Sequence, residues 1–132
     1  MDFNLGFVAH AQKRGLHVDY GNLQSQEIPT TECILLQGSL YHFYPSHRTV
    51  IERLLKAATV KVIISEPIRT LSAHKNIFLR IFAKYITKTA SGFHEKRFTR
   101  EEMFQLANEF HAEKIVEAGT DMVIFFKKIT IR

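Results

Sequence analysis

The densest set of groups able to do chemistry lies between Gln37 and Phe43, in Gln-Gly-Ser-Leu-Tyr-His-Phe. It offers an amide, a hydroxyl, a phenol and an imidazole directly after a short apolar run. His42 or Tyr41 can take up a proton or orient a reacting group, and imidazole titrates nearest neutrality. In the plainer reading, Leu40 and Phe43 anchor the loop and His42 makes structural hydrogen bonds. Metal chemistry has less support. His10, His17, His42, His47, His74, His94 and His111 include no pair spaced four apart on one helix, and Cys33 has no neighbouring cysteine, so no zinc site is expected. Cys33 opens an apolar run and is expected to be buried and unreactive.

The surrounding periodicity supplies a scaffold for these groups. Asn4 to Arg14 predicts a helix, with Leu5, Val8 and Ala9 sharing a face and Gly15 as its stop. Leu16 to Tyr20 alternates and predicts a short strand, closed by a Gly21-Asn22 turn. Residues 23–32 are polar, contain Pro29 and predict a loop. Cys33 to Gln37 is a continuous apolar run, as expected of a strand buried on both faces. His47 to Ala58 predicts a helix with Val50, Ile51, Leu54 and Leu55 inward. Val60 to Ser65 predicts the clearest strand, ending at Glu66-Pro67. Ala73 to Lys88 predicts a long helix. Thr99-Arg100-Glu101-Glu102 is a capping box, and the helix after it turns Met103, Phe104, Leu106, Ala107 and Phe110 inward. Lys114 to Glu117 and Met122 to Lys128 predict two last strands around Ala118-Gly119. Strands alternating with helices demand crossovers and a mostly parallel sheet. The last two strands are joined by about three residues, which permits only an antiparallel hairpin.

Composition sets the class. A chain of 132 residues is expected to form one domain. A single cysteine rules out an internal disulfide. No apolar run approaches the roughly 20 residues of a membrane helix, and Met1 to Gly15 lacks the pattern of a secretory signal. The expectation is a soluble cytoplasmic protein. Residues 1–66 carry six Lys/Arg and six Asp/Glu, so residues 67–132 hold all of the net +5. From Arg69 to Arg100, eight basic residues face one acid, Glu95. Such a stretch suits nucleic acid or another anionic partner. The favoured reading is a solvated helix face, because Arg80, Lys84 and Lys88 fall on one side and Phe78, Ile81, Phe82 and Tyr85 on the other.

Five pieces in order resemble class I S-adenosylmethionine-dependent methyltransferases. D-F-N-L-G-F-V-A-H-A-Q-K-R-G, Asp2 to Gly15, resembles the family's second strand end and following helix. H-V-D-Y-G-N-L, His17 to Leu23, resembles the third strand and its turn. C-I-L-L-Q-G-S-L-Y-H-F, Cys33 to Phe43, resembles the fourth strand and its active-site loop. V-I-I-S-E-P, Val62 to Pro67, resembles the fifth strand. R-F-T-R-E-E, Arg97 to Glu102, resembles the start of the last helix. The resemblance implies an α/β, Rossmann-like three-layer sandwich, its mostly parallel sheet ending in an antiparallel C-terminal hairpin. It implies S-adenosylmethionine as cofactor. Asp2 would accept from the ribose diol, Asn22 from the adenine amino group, and Leu23 would pack on the adenine; Gln37, Gly38 and Ser39 would line the cofactor side. His42 and Tyr41 would be catalytic, with Glu66, Arg69 and Arg97 on the side of the methyl acceptor. Asn22 stands where the family carries an acid. Asp2 also reads as a helix cap, and Leu23 as a core residue.

The family's first strand and glycine-rich turn have no counterpart. Gly6, Gly15, Gly21, Gly38, Gly92 and Gly119 form no G-x-G. The expectation is therefore a single methyltransferase-like domain over 1–132, incomplete at its N-terminus, with little activity alone and with exposed sheet edges that favour homo-oligomers. One alternative is a non-catalytic binding or dimerisation module. Another is anion or nucleic-acid binding through residues 69–100.

Overall fold

The computed structural model describes residues 1–2, 4–68 and 97–127. Arg69 and the helix expected over 73–88 lie outside them. Helix α1 (Leu5–Lys13) starts at Asn4, whose side-chain oxygen accepts the Phe7 N–H at 3.1 Å. Strand β1 (Thr31–Gln37) leads through a 3-10 helix (Leu40–Phe43) into α2 (His47–Ala57) and β2 (Ala58–Pro67). Helix α3 (Arg100–Glu109), β3 (Lys114–Ala118) and β4 (Asp121–Lys127) complete the described part. The capping box is present: Thr99 Oγ1 accepts the Glu102 N–H at 3.2 Å and Glu102 Oε2 accepts the Thr99 N–H at 2.8 Å.

The sheet order is β1-β2-β4-β3. β1 and β2 are parallel, while β4 runs antiparallel to both β2 and β3. Three strands thus share one direction and the last strand opposes them, as the sequence predicts. The β3–β4 hairpin turns through Gly119-Thr120, with Ala118 paired to Asp121. Gly119 takes φ +64° there, a left-handed conformation that glycine adopts without steric penalty.

One face of the sheet carries the core. Val62, Ile64, Met122, Ile124 and Phe126 are buried there with Val50, Ile51 and Leu54 of α2 and Met103, Leu106 and Ala107 of α3. This face follows from strand alternation: Val62, Ile64 and Glu66 point one way, and Ile63 and Ser65 the other.

Two expectations need correction. Leu16 to Tyr20 is not a strand; a single parallel bridge joins Asp2 to Tyr20. Alternation alone cannot make a strand without a partner ladder, and here that ladder is one bridge long. β1 is not buried on both faces. Cys33 is exposed and Leu35 keeps 63% of its surface in solvent. Among the described residues β1 has only β2 beside it, so its apolar run lies at an edge of the described sheet.

Candidate functional site

The site forms where β1 and β2 end, the side of an open parallel sheet on which ligands bind. Gly38 continues the ladder by one bond, its N–H donating to Ser65 O at 2.8 Å. Its φ of +57° turns the chain out of the sheet, and a Cβ at this position would meet no atom of the described residues within 4 Å. The backbone at Gly38 is therefore open to a ligand. Ser39 follows, but its hydroxyl donates back to Gln37 O at 2.9 Å and does not cap the 3-10 helix.

Glu66 fills that role from across the sheet. Its Oε1 accepts the N–H groups of Ser39 at 2.7 Å and Leu40 at 2.6 Å. A residue at the end of β2 thus fixes the loop after β1. Glu66 has no exposed surface, and its Oε2 is buried without a hydrogen-bond partner among the described residues. Burial outweighs the backbone donors and the nearby Arg97 charge, and lifts this carboxyl from 4.5 to about 7.

The loop presents an aromatic and cationic group. The Tyr41 and His42 rings lie 3.9 Å apart between centroids, and the Arg97 guanidinium stands 4.0 Å over the Tyr41 ring. Tyr41 is buried and His42 half-buried. Leu40 and Phe43 anchor the turn in the core. Beyond it, Tyr44 stacks on the buried His47 at 5.3 Å, and His47 meets Phe98 edge-on at 5.2 Å.

The residues expected at the cofactor lie partly on this loop and partly on the N-terminal unit. Asp2 sits on the bridge to Tyr20, and its Oδ1 accepts the Asn4 N–H at 2.7 Å. Asn22 Oδ1 accepts the Gln24 N–H at 2.9 Å. Leu23 is half-buried against the core, and its carbonyl, with that of Gln26, receives the Arg53 guanidinium from α2. The structure thus brings Gly38, Ser39, Tyr41, His42, Glu66 and Arg97 together. Gln37 is exposed beside them. Arg69 falls outside the described residues. Sequence reasoning missed the Arg53 clamp: Arg53 is one of three Lys/Arg on α2, and nothing in the sequence sets it apart from Arg48 and Lys56. No group of His, Cys, Asp or Glu among the described residues is arranged to hold a metal. No described helix is long and apolar enough to cross a membrane.

Neither a family model nor a curated protein matches the sequence. Solved structures do match. Magnesium protoporphyrin IX methyltransferase from Synechocystis PCC 6803 with bound SAH aligns with TM-score 0.63 and 14% identity, covering 97% of this chain and 62% of that one. An O-methyltransferase family protein from Burkholderia thailandensis gives 0.61 and 12%, covering 94% and 39%. An O-methyltransferase family 2 protein from Planctomyces limnophilus DSM 3776, in complex with apigenin, gives 0.60 and 13%, covering 93% and 39%. The chain spans between 39% and 62% of the length of these structures. Their shared architecture and the hairpin-inserted β4 establish that the chain has the class I methyltransferase fold.

Proposed function

We propose that the chain is part of an S-adenosylmethionine-dependent methyltransferase, with the loop from Gly38 to Phe43 as its reaction zone. The observation that carries this reading is Glu66, which reaches across the parallel strands to fix that loop at the carboxyl end of the sheet. The residues present suit the adenosine end of the cofactor. Asp2 offers a carboxylate oxygen to a ribose diol, Asn22 an amide oxygen to an adenine, and Leu23 an apolar surface. Gly38 leaves room for close backbone approach. The chain supplies no G-x-G turn, so the amino-acid end of the cofactor depends on residues beyond these. When bound, the cofactor supplies an electrophilic methyl group.

The chain's own residues align the acceptor and handle its proton. His42, on a loop whose backbone is fixed, takes the proton or orients the acceptor. Arg97 holds Tyr41 by a cation–π contact and keeps positive charge beside the reaction zone. Titrating S-adenosylhomocysteine into the full chain while following backbone resonances tests the assignment. Saturable shifts are expected at Asp2, Asn22 and Gly38 at millimolar ligand, diminished by Asp2→Ala. Absence of saturable shifts at these positions overturns it. Micromolar affinity would show instead that these residues suffice for cofactor binding.

A further inference from the structure

The N-terminal unit has its own hydrogen bonds. Asp2 N–H donates to Asp19 O and Gly21 N–H to Asp2 O, each at 2.9 Å, so the Asp2–Tyr20 bridge delivers Asn22 close to Asp2. Asn22 then opens a single turn. Its carbonyl accepts the Ser25 N–H at 3.2 Å and the Gln26 N–H at 2.9 Å, and its own N–H donates to Gln26 Oε1 at 2.8 Å. One such turn does not hold itself in water, because nucleation fixes several residues for one or two bonds. Leu23 and Ile28 rest against the core. Among the described residues, the hydrogen bonds that tie this unit to the sheet and its helices both come from Arg53.

Arg53 is half-buried on α2. Its Nη1 donates to Leu23 O at 2.5 Å and its Nη2 to Gln26 O. These carbonyls lie three residues apart at the end of the turn, where a basic side chain satisfies them as it would at a helix C-terminus. A guanidinium is a planar fork that reaches both at once, whereas an ammonium is a point charge. Arg48, on the same helix, is instead ion-paired to Glu109 at 2.9 Å. The helix that carries Arg53 begins at His47, just after the loop of Tyr41 and His42, and Arg53 lies about 9 Å further along it.

We propose that Arg53 is a positioning residue for the cofactor: it holds the Asn22–Gln26 turn on α2, and so sets Asn22 and Asp2 at a fixed distance from the reaction loop. The role rests on the reading of Asp2 and Asn22 as adenosine contacts. S-adenosylhomocysteine is titrated into the 132-residue chain and its variants, and the initial slope of the Asn22 shift is compared. Arg53→Met, which keeps the apolar stem, is expected to lower that slope about tenfold, and Arg53→Lys about threefold. Arg48→Met removes the same charge from the same helix and is expected to keep the wild-type slope. The Ile64 and Ile124 resonances, which report the β2–β4 ladder, are expected to stay in place in all three. A merely structural arginine would lower the urea midpoint and leave the slope of the folded chain unchanged. Wild-type slope in Arg53→Met overturns the role of Arg53 alone, as does an equal loss in Arg48→Met. Absence of binding by the wild type overturns it together with the cofactor reading. If Arg53→Met loses the Ile64 and Ile124 resonances, Arg53→Lys decides by the same slope.

Discussion

At the residue scale the decisive group is Glu66. A buried carboxylate with one satisfied and one orphaned oxygen is costly to ionise, which is why its titration moves to about 7. The unfolded chain releases this proton near 4.5 and the native chain near 7. Between those values the native state binds more protons, so stability falls as pH rises through that window and levels off above it. The shift corresponds to about 3 kcal/mol. Glu66→Gln keeps an oxygen for the Ser39 and Leu40 N–H groups and removes the charge. Urea denaturation across that window should therefore give a flatter profile for Glu66→Gln, with stability in mildly alkaline buffer equal to or above wild type. An unchanged wild-type slope in the variant would refute the assignment. Glu66→Ala strands one buried and one half-buried donor and should cost about 3 kcal/mol. None of this was legible in the sequence. The run S-E-P marks a strand end, but the partners of Glu66 lie 26 and 27 residues away. The Cys33 reading failed for a related reason: an apolar run does not tell an edge from an interior.

Elements whose signals are local were read well. α2 declares its inner face through Val50, Ile51 and Leu54, all buried. The α3 start is written in Thr99 and Glu102, and both reciprocal bonds form. Thr99→Ala should destabilise the chain by about 1 kcal/mol, seen as a lower urea midpoint with unchanged slope; a change below a few tenths would show that the cap is redundant. The β3–β4 hairpin followed from loop length alone. Leu16 to Tyr20 was misread because alternation states which face a strand would show and says nothing about whether a partner exists. His111, left-handed at φ +52° just after α3, carried no sequence signal, since the helix stop lacks the glycine that normally marks it.

At the scale of the molecule, the sheet has an asymmetric boundary. β3 is short, whereas β1 presents Leu35 and Cys33 outward on an edge with no further strand among the described residues. Such an edge templates pairing with another chain. The protein is expected to sediment above the 15.3 kDa of one chain, and Leu35→Lys to return it toward monomer in sedimentation velocity. A monomeric wild type would end that expectation. The other boundary has a temporal meaning. β4 is the C-terminal described strand, yet it sits inside the sheet and, among the described residues, is the sole ladder partner of β3. On a ribosome, β3 emerges before its ladder partner among the described residues, and the edge of β2 that pairs with β4 waits until residues 121–127 are made. The described sheet therefore closes only once β4 has been made, and its non-local pairings make that closure slow. A nonsense mutation just before Asp121 would remove one strand, orphan a second and uncover the core beneath both, leaving a fragment fit mainly for proteolysis.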